Sequence, residues 1–434
     1  MADSQSRIVA YETGPRTVVV GRSLRTDDGA RVVLRFDRTA TADHPARLTG
    51  WLENATDFEN TVRVDDLPGL NGVAGRTRDG DSAASVYLVP TETNRLATSS
   101  PSMERHGSGY WQVTDRGSWV PDTRRLAAGE RVRLAYAPVL GPDTSTFPTG
   151  IFEFDGDDRI LPLRVWNTDR PGPTGESRFA GRSVSPPGAS ETTWFHRADT
   201  ETRAFLRPET ERLTLDGTVA FEMVNHSQER LQCGHWDLHK LVDGEWFHVW
   251  PTHHFSYCAV LGPGGVESWS LRAFNGEAVP CDCEDGWTRG HLGGGTYAVV
   301  AGYGYPEGNS AALVELVGEQ VTLATTPDAA VERDGETVVV TTARYGDGEG
   351  SSDATMVLEP TGAAEHRLIA EQLMGPTSGA ISLRAIRNAL AAVAEGVSTV
   401  TVRTDEDAVD AALGHDTESR RFRYRGAAYE VRRG

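Results

Sequence analysis

The chain has 434 residues, 38% of them hydrophobic and 24% charged, with a net charge of −19. That length exceeds what one ordinary core fills and predicts about two to three domains, while the composition is globular rather than disordered. The acidic surplus argues against broad binding to nucleic acids or anionic membranes, whose phosphates need a basic partner.

Arginine carries almost all the positive charge, because Lys240 is the only lysine. An acidic, nearly lysine-free composition resembles the proteins of extreme halophiles, where carboxylates keep a surface hydrated although salt screens repulsion to about 3 Å at 1 M. An acidic protein from a GC-rich genome, with arginine replacing lysine by codon bias, is the alternative. Met1–Arg7 has no basic start followed by an apolar run, and no window approaches the ~20 apolar residues of a membrane helix. A soluble cytoplasmic protein is therefore expected.

Taken in order, residues 16–20 and 31–36 read as strand, turn, strand around Asp27-Asp28-Gly29. Further strands are expected at 47–54, 85–89, 109–113, 131–136, 150–154 and 161–166. Many short strands separated by turn residues predict an antiparallel sandwich over 1–168. Residues 169–192, rich in Pro, Gly and Ser, read as a linker.

The segment 193–322 repeats the order of the first. Strand 218–225 ends in Asn225 as strand 47–54 ends in Asn54, and Leu261-Gly262-Pro263 answers Leu126-Ala127-Ala128. The hairpin 236–249 is aligned with 86–113, and 294–300 with 149–154. This predicts an internal duplication. The order resembles that of bacterial and archaeal immunoglobulin-like domains, well over 205–320 and more loosely over 45–168. The resemblance implies two tandem Ig-like antiparallel β-sandwiches and a binding or spacing role, with no catalytic residues to carry over. Such modules are commonest outside cells, against the cytoplasmic expectation.

From 326 to 434 the pattern predicts a small α+β domain. Strands 336–343 and 354–358 form a pair, with a helix over 363–374. A second helix over 383–395 starts at Ser382 as N-cap, a strand covers 398–403, and a helix over 406–413 is capped by Asp405. A hairpin over 421–431 ends the chain. Its arginines and aromatics interleave as in single-strand nucleic-acid binders, but in so acidic a chain they read as partners of nearby carboxylates.

The unusual chemistry lies between 219 and 305, which holds all four cysteines and seven of the twelve histidines. With Asp243-Gly244 as a two-residue type I′ turn, Leu241 faces Trp246, His239 faces His248, and Asp237 faces Trp250. Alternation then places His235, Asp237, His239, Trp246, His248 and Trp250 on one, solvent, face. Imidazoles around a carboxylate can hold zinc, copper or iron; as surface residues they can equally stack on the tryptophans. Cys281 and Cys283 are a tighter pair than ordinary zinc knuckles. They can join a metal site with Cys233, Cys258, His253, His254 or His291, stay as free thiols, or form a strained disulfide. No nucleophile–base signature is seen. The sequence thus predicts a non-enzymatic binding or scaffolding protein with a protein partner, no nucleic acid and no required cofactor; a metal- or redox-responsive protein is the alternative.

Overall fold

The computed structural model describes residues 6–21, 23–77, 85–156, 159–188, 191–251, 259–277, 286–303, 308–348, 352–364, 366–375, 382–414 and 417–434. The chain is mainly β, with 48% strand against 6% helix, so sheets must bury the cores.

In the N-terminal part, strands Ile8–Ala10, Arg16–Val20, Ile160–Asn167, Gly150–Asp155 and Arg76–Thr77 form one sheet. The facing sheet is built on Ala30–Arg38, Arg47–Asn54 and Arg131–Leu140. Alternation decides the packing. Val18, Phe152 and Leu163 point inward from the first sheet to meet Leu34, Leu48 and Leu134 of the second. Residues 16–20 and 31–36 therefore lie in opposite sheets. The Asp27–Gly29 turn joins a shorter strand, Leu24–Arg25, to Ala30–Arg38.

The central part is a second sandwich. Thr192–Trp194, Asn309–Val317, Gly295–Ala301, Trp236–Val242 and Glu245–Trp250 lie side by side in that order, with Arg212–Thr214 also on Asn309–Val317. Opposite them stand Ala204–Pro208, Gly217–Asn225, Val266–Ala273 and Gly286–Arg289. Phe221, Met223 and Leu271 pack against Leu238, Tyr297 and Val299 between the two sheets.

Both sandwiches share one buried corner. The Asn54 amide reaches the carbonyls of Phe58, Leu126 and Ala127 at 2.8, 3.2 and 3.0 Å. Asn225 reaches Glu229, Leu261 and Gly262 at 2.8, 3.1 and 3.1 Å. Each side-chain oxygen accepts from the backbone two residues on, Thr56 or Ser227. The hairpin alignment expected from sequence does not hold. Val86–Pro90 and Trp111–Val113 join Arg131–Leu140, whereas Trp236–Val242 and Glu245–Trp250 join the sheet opposite Val266–Ala273. By position, the short Arg76–Thr77 strand beside Gly150–Asp155 is the counterpart of Trp236–Val242 beside Gly295–Ala301.

The C-terminal part is one seven-stranded sheet under two helices, α2 (Arg384–Ala391) and α3 (Glu406–Leu413), which follow the four-residue α1 (Ala370–Leu373). Ile386, Ala389 and Val409 cover Val340, Met356 and Val402. Asp405 caps α3 as expected, accepting from the Ala408 N–H at 2.9 Å. Three expectations fail. Thr337–Thr342 and Asp353–Pro360 are not paired; Thr399–Asp405 lies between them, parallel to the first and antiparallel to the second. The helix expected over 363–374 shrinks to α1, because His366–Arg367 pairs with Phe422 and Arg423 at the sheet edge. Leu383, not Ser382, occupies the N-cap of α2, without a side-chain bond. The terminal arginines pair with carboxylates, Arg421 with Glu430 and Arg432 with Glu359.

Two junctions join the parts. Trp166 stacks on His226 with ring centres 4.4 Å apart, and Arg164 donates to the Gly264 carbonyl at 3.2 Å. At the other junction, Ile369 enters the central core and Arg367 pairs with Asp243 at 2.7 Å. No helix among the described residues is long and apolar enough to cross a membrane.

Candidate metal centre

The site is built on the Trp236–Trp250 hairpin. Asp243 and Gly244 have φ of +52° and +85°, the left-handed pair that a type I′ turn demands. From that turn the register runs as the sequence predicts: Leu241 opposite Trp246, Lys240 opposite Phe247, His239 opposite His248. A bulge then shifts it, and Leu238, not Asp237, lies opposite Trp250. One extra residue on a strand reverses the facing of the residues beyond it. Trp250 accordingly leaves the histidine face and packs against the core, edge-on to Trp287 at 6.4 Å and beneath the Arg289 guanidinium at 5.0 Å.

The bulge leaves Asp237, His239 and His248 together. Each offers a donor atom within 4.8 Å of the other two. The His248 Nε2 lies 3.1 Å from an Asp237 oxygen, and the two imidazoles stand edge to face at 5.1 Å. Burial, then the neighbouring His248, push His239 down to about 4 against the pull of Asp237, so its ring is an unprotonated base at neutral pH. Two imidazoles and a carboxylate suit zinc or another first-row metal, and three protein ligands leave coordination positions open.

The other predicted ligands do not join this group. His235 falls outside the mutual cluster, its carbonyl instead accepting from Gly302 at 2.7 Å. Cys258, Cys281, Cys283, His253 and His254 lie outside the described residues, as does the Cys233 side chain. His291 sits apart against Glu277 at 3.4 Å.

The face carrying the trio is not all solvent. Residues 169–188, in the stretch 169–192 expected as a linker, cross part of it. Phe179 and Trp194 pack with Ala298, Val300 and Leu313, and the Trp246 indole donates to the Ser185 carbonyl at 2.8 Å. Arg178 and Glu315 pair at 2.8 Å to fix this strap. The apolar half of the face is covered, leaving His248 exposed beside it. From the far side, Gln372 of the C-terminal part donates to the His248 carbonyl at 3.0 Å.

Sequence reasoning missed the ion pair behind the trio. Lys240 and Glu371, 5% and 3% exposed, meet inside the protein. Gln320 lies 3.4 Å from the ammonium, and the Gly293 N–H donates to the same Glu371 carboxylate at 3.3 Å. The Tyr297 hydroxyl donates to the Gly293 carbonyl at 2.8 Å, and Arg289 donates to the Glu371 carbonyl at 3.1 Å. Burial, reinforced by Glu371, holds Tyr297 well above the usual phenol range; burial lowers Arg289 to about 10. The signal was available in part, since position 240 shares the core-facing parity of Trp236 and Leu238. No sequence pattern names a partner 131 residues away.

No protein-family model matches this chain, and no curated protein matches it. Solved structures similar to it include a polysaccharide lyase, at 10% identity over 70% of this chain and 36% of that one, with a TM-score of 0.16. Red sea bream transglutaminase has 9% identity, 68% and 32% coverage and a TM-score of 0.16. A β-galacturonidase from Eisenbergiella tayi has 12% identity, 84% and 49% coverage and a TM-score of 0.13. The chain thus spans between about a third and a half of these proteins. At such TM-scores the likeness carries no argument about activity.

Proposed function

We propose that this chain is a non-enzymatic binding protein whose central sandwich holds a divalent transition metal on Asp237, His239 and His248. The mutual approach of three donor atoms within 4.8 Å carries the reading. A rigid hairpin supports it: the turn, the bulge and the Gln372 contact hold the ligand-bearing strands from three sides. Zinc is the metal best suited, because neutral imidazole and carboxylate match its preferences without redox demands. The open positions are filled by water or by a carboxylate of a protein partner. The two sandwiches are read as copies of one immunoglobulin-like module in a salt-adapted cytoplasm. The matching Asn54 and Asn225 corners and the net charge of −19 support that part.

Metal-stripped protein titrated with zinc in a calorimeter tests the reading, beside a His239→Ala/His248→Ala variant and elemental analysis of untreated protein. Near-stoichiometric uptake, lost in the variant while its circular dichroism is unchanged, is the expected result. Absence of zinc, copper or iron uptake by the wild type overturns it.

A further inference from the structure

A groove of about 1040 Å³ runs along the junction between the two sandwiches. Its charge is opposite to that of the molecule. Arg7, Arg35 and Arg164 line it from the N-terminal side and Arg230 from the central side, with Glu267 as the one carboxylate among the described lining residues. Four cations to one anion stand out in a chain where Lys and Arg number 43 against 62 Asp and Glu.

Between the arginines lie apolar side chains that a folded protein ordinarily hides. Ile160 is 49% exposed and Val260 39%, and they come from different sandwiches. The walls are held in place. Gly264 sits so close to Val19 that a β-carbon there would approach it to 2.5 Å, and Arg164 donates to the Gly264 carbonyl at 3.2 Å. The groove is thus a built feature of the junction, at the upper end of the size range of ligand sites.

We infer that this groove docks an extended acidic peptide segment of a protein partner, its carboxylates on the exposed Arg35 and Arg230 and its apolar side chains against Ile160 and Val260. Guanidinium groups recognise carboxylates in a planar, two-pronged fashion, and arginine clusters are a recurrent reader of acidic motifs. The net charge of the molecule does not prevent this, since salt cuts the reach of distant charges to about 8 Å at 0.15 M and about 3 Å at 1 M. Nucleic acid fits less well. Among the described lining residues the one aromatic, Tyr303, is 3% exposed and offers no platform for stacking bases.

The test is fluorescence anisotropy with a labelled short peptide alternating glutamate and leucine. Polyglutamate, a sulfated polysaccharide and single-stranded DNA serve as competitors. Saturable binding is expected in wild type, weakened roughly tenfold in Arg35→Glu/Arg230→Glu, two exposed positions whose reversal turns attraction into repulsion. Ile160→Ser/Val260→Ser keeps the charge and is expected to weaken the leucine-containing peptide but not polyglutamate. Thermal melts of both variants matching the wild type show that the groove survives. Equal binding in the arginine variant overturns the inference, as does the absence of saturable binding by wild type. Competition by polyglutamate, polysaccharide or DNA as strong as by the peptide itself also overturns it, leaving a general anion surface. None of these outcomes depends on the metal.

Discussion

The two sandwiches use the same asparagine corner but differ at one sheet edge. In the N-terminal sandwich the strand beside Gly150–Asp155 is Arg76–Thr77, two residues long. In the central sandwich the same place is taken by Trp236–Val242, which continues through a type I′ turn into Glu245–Trp250. That extension carries the histidine pair, receives the strap of residues 169–188 and docks the C-terminal part through Lys240. A sheet edge can take a further hairpin because it has unpaired backbone groups ready to accept one. The two sandwiches thus agree at the corner and differ at this edge.

The difference is sharpest at Lys240 opposite Tyr297, where the N-terminal sandwich has Thr77 opposite Phe152. Lys240→Met leaves the Glu371 carboxylate buried without its cation and is expected to cost about 3–5 kcal/mol. Urea unfolding followed by near-ultraviolet dichroism of the Trp236–Trp269 stack reads it. A Lys240→Met/Glu371→Leu double variant is expected to recover most of the loss. If the single variant melts like the wild type, the central sandwich does not need its junction with the C-terminal part.

The second expectation concerns the junction the sandwiches share. Burial pushes His226 down to about 4 from an ordinary 6.5. The unfolded chain then binds the extra proton between these values, so stability is intact above pH 6.5 and falls as pH drops toward 4. The loss is on the order of 3 kcal/mol at most. His226→Phe keeps the stack on Trp166 and is expected to flatten the acid limb of a pH–stability profile. An unchanged limb would show that the junction does not sense acid.

The corner itself predicts equality. Asn54→Ala and Asn225→Ala each leave buried carbonyls without a donor, at about 1–3 kcal/mol. Chemical denaturation of the two variants is expected to give losses within a factor of two of each other. A large inequality would break the likeness between the sandwiches. The smallest effect is expected at the turn, where Gly244→Ala places a β-carbon on a backbone with φ of +85°, costing about 1 kcal/mol. Its informative readout is zinc affinity, expected to weaken as the His239/His248 register loosens.

Some of this was legible without coordinates. Strand alternation set Asp237, His239 and His248 on one face of their hairpin, because a side-chain period of two depends only on local geometry. Asp243-Gly244 specified its turn, and with it the His239–His248 pairing, for the same reason. Asp405 before an apolar-periodic stretch announced α3. Each of these signals acts over a few residues.

What only the tertiary structure decided acts over longer spans. The bulge that turns Trp250 into the core reflects its packing against Trp287 and Arg289, far along the chain. The insertion of Thr399–Asp405 between two strands expected to pair depends on which edges meet in the folded sheet. Phe179 and Trp194 turned a Pro- and Gly-rich stretch into a strap because an apolar sheet face was there to cover. Lys240, alone of its kind in the composition, found Glu371 only through the approach of two folded units. Local backbone preferences are written in neighbouring residues; partnerships across the core are settled by burial and by charge desolvation, which exist only once the chain has folded.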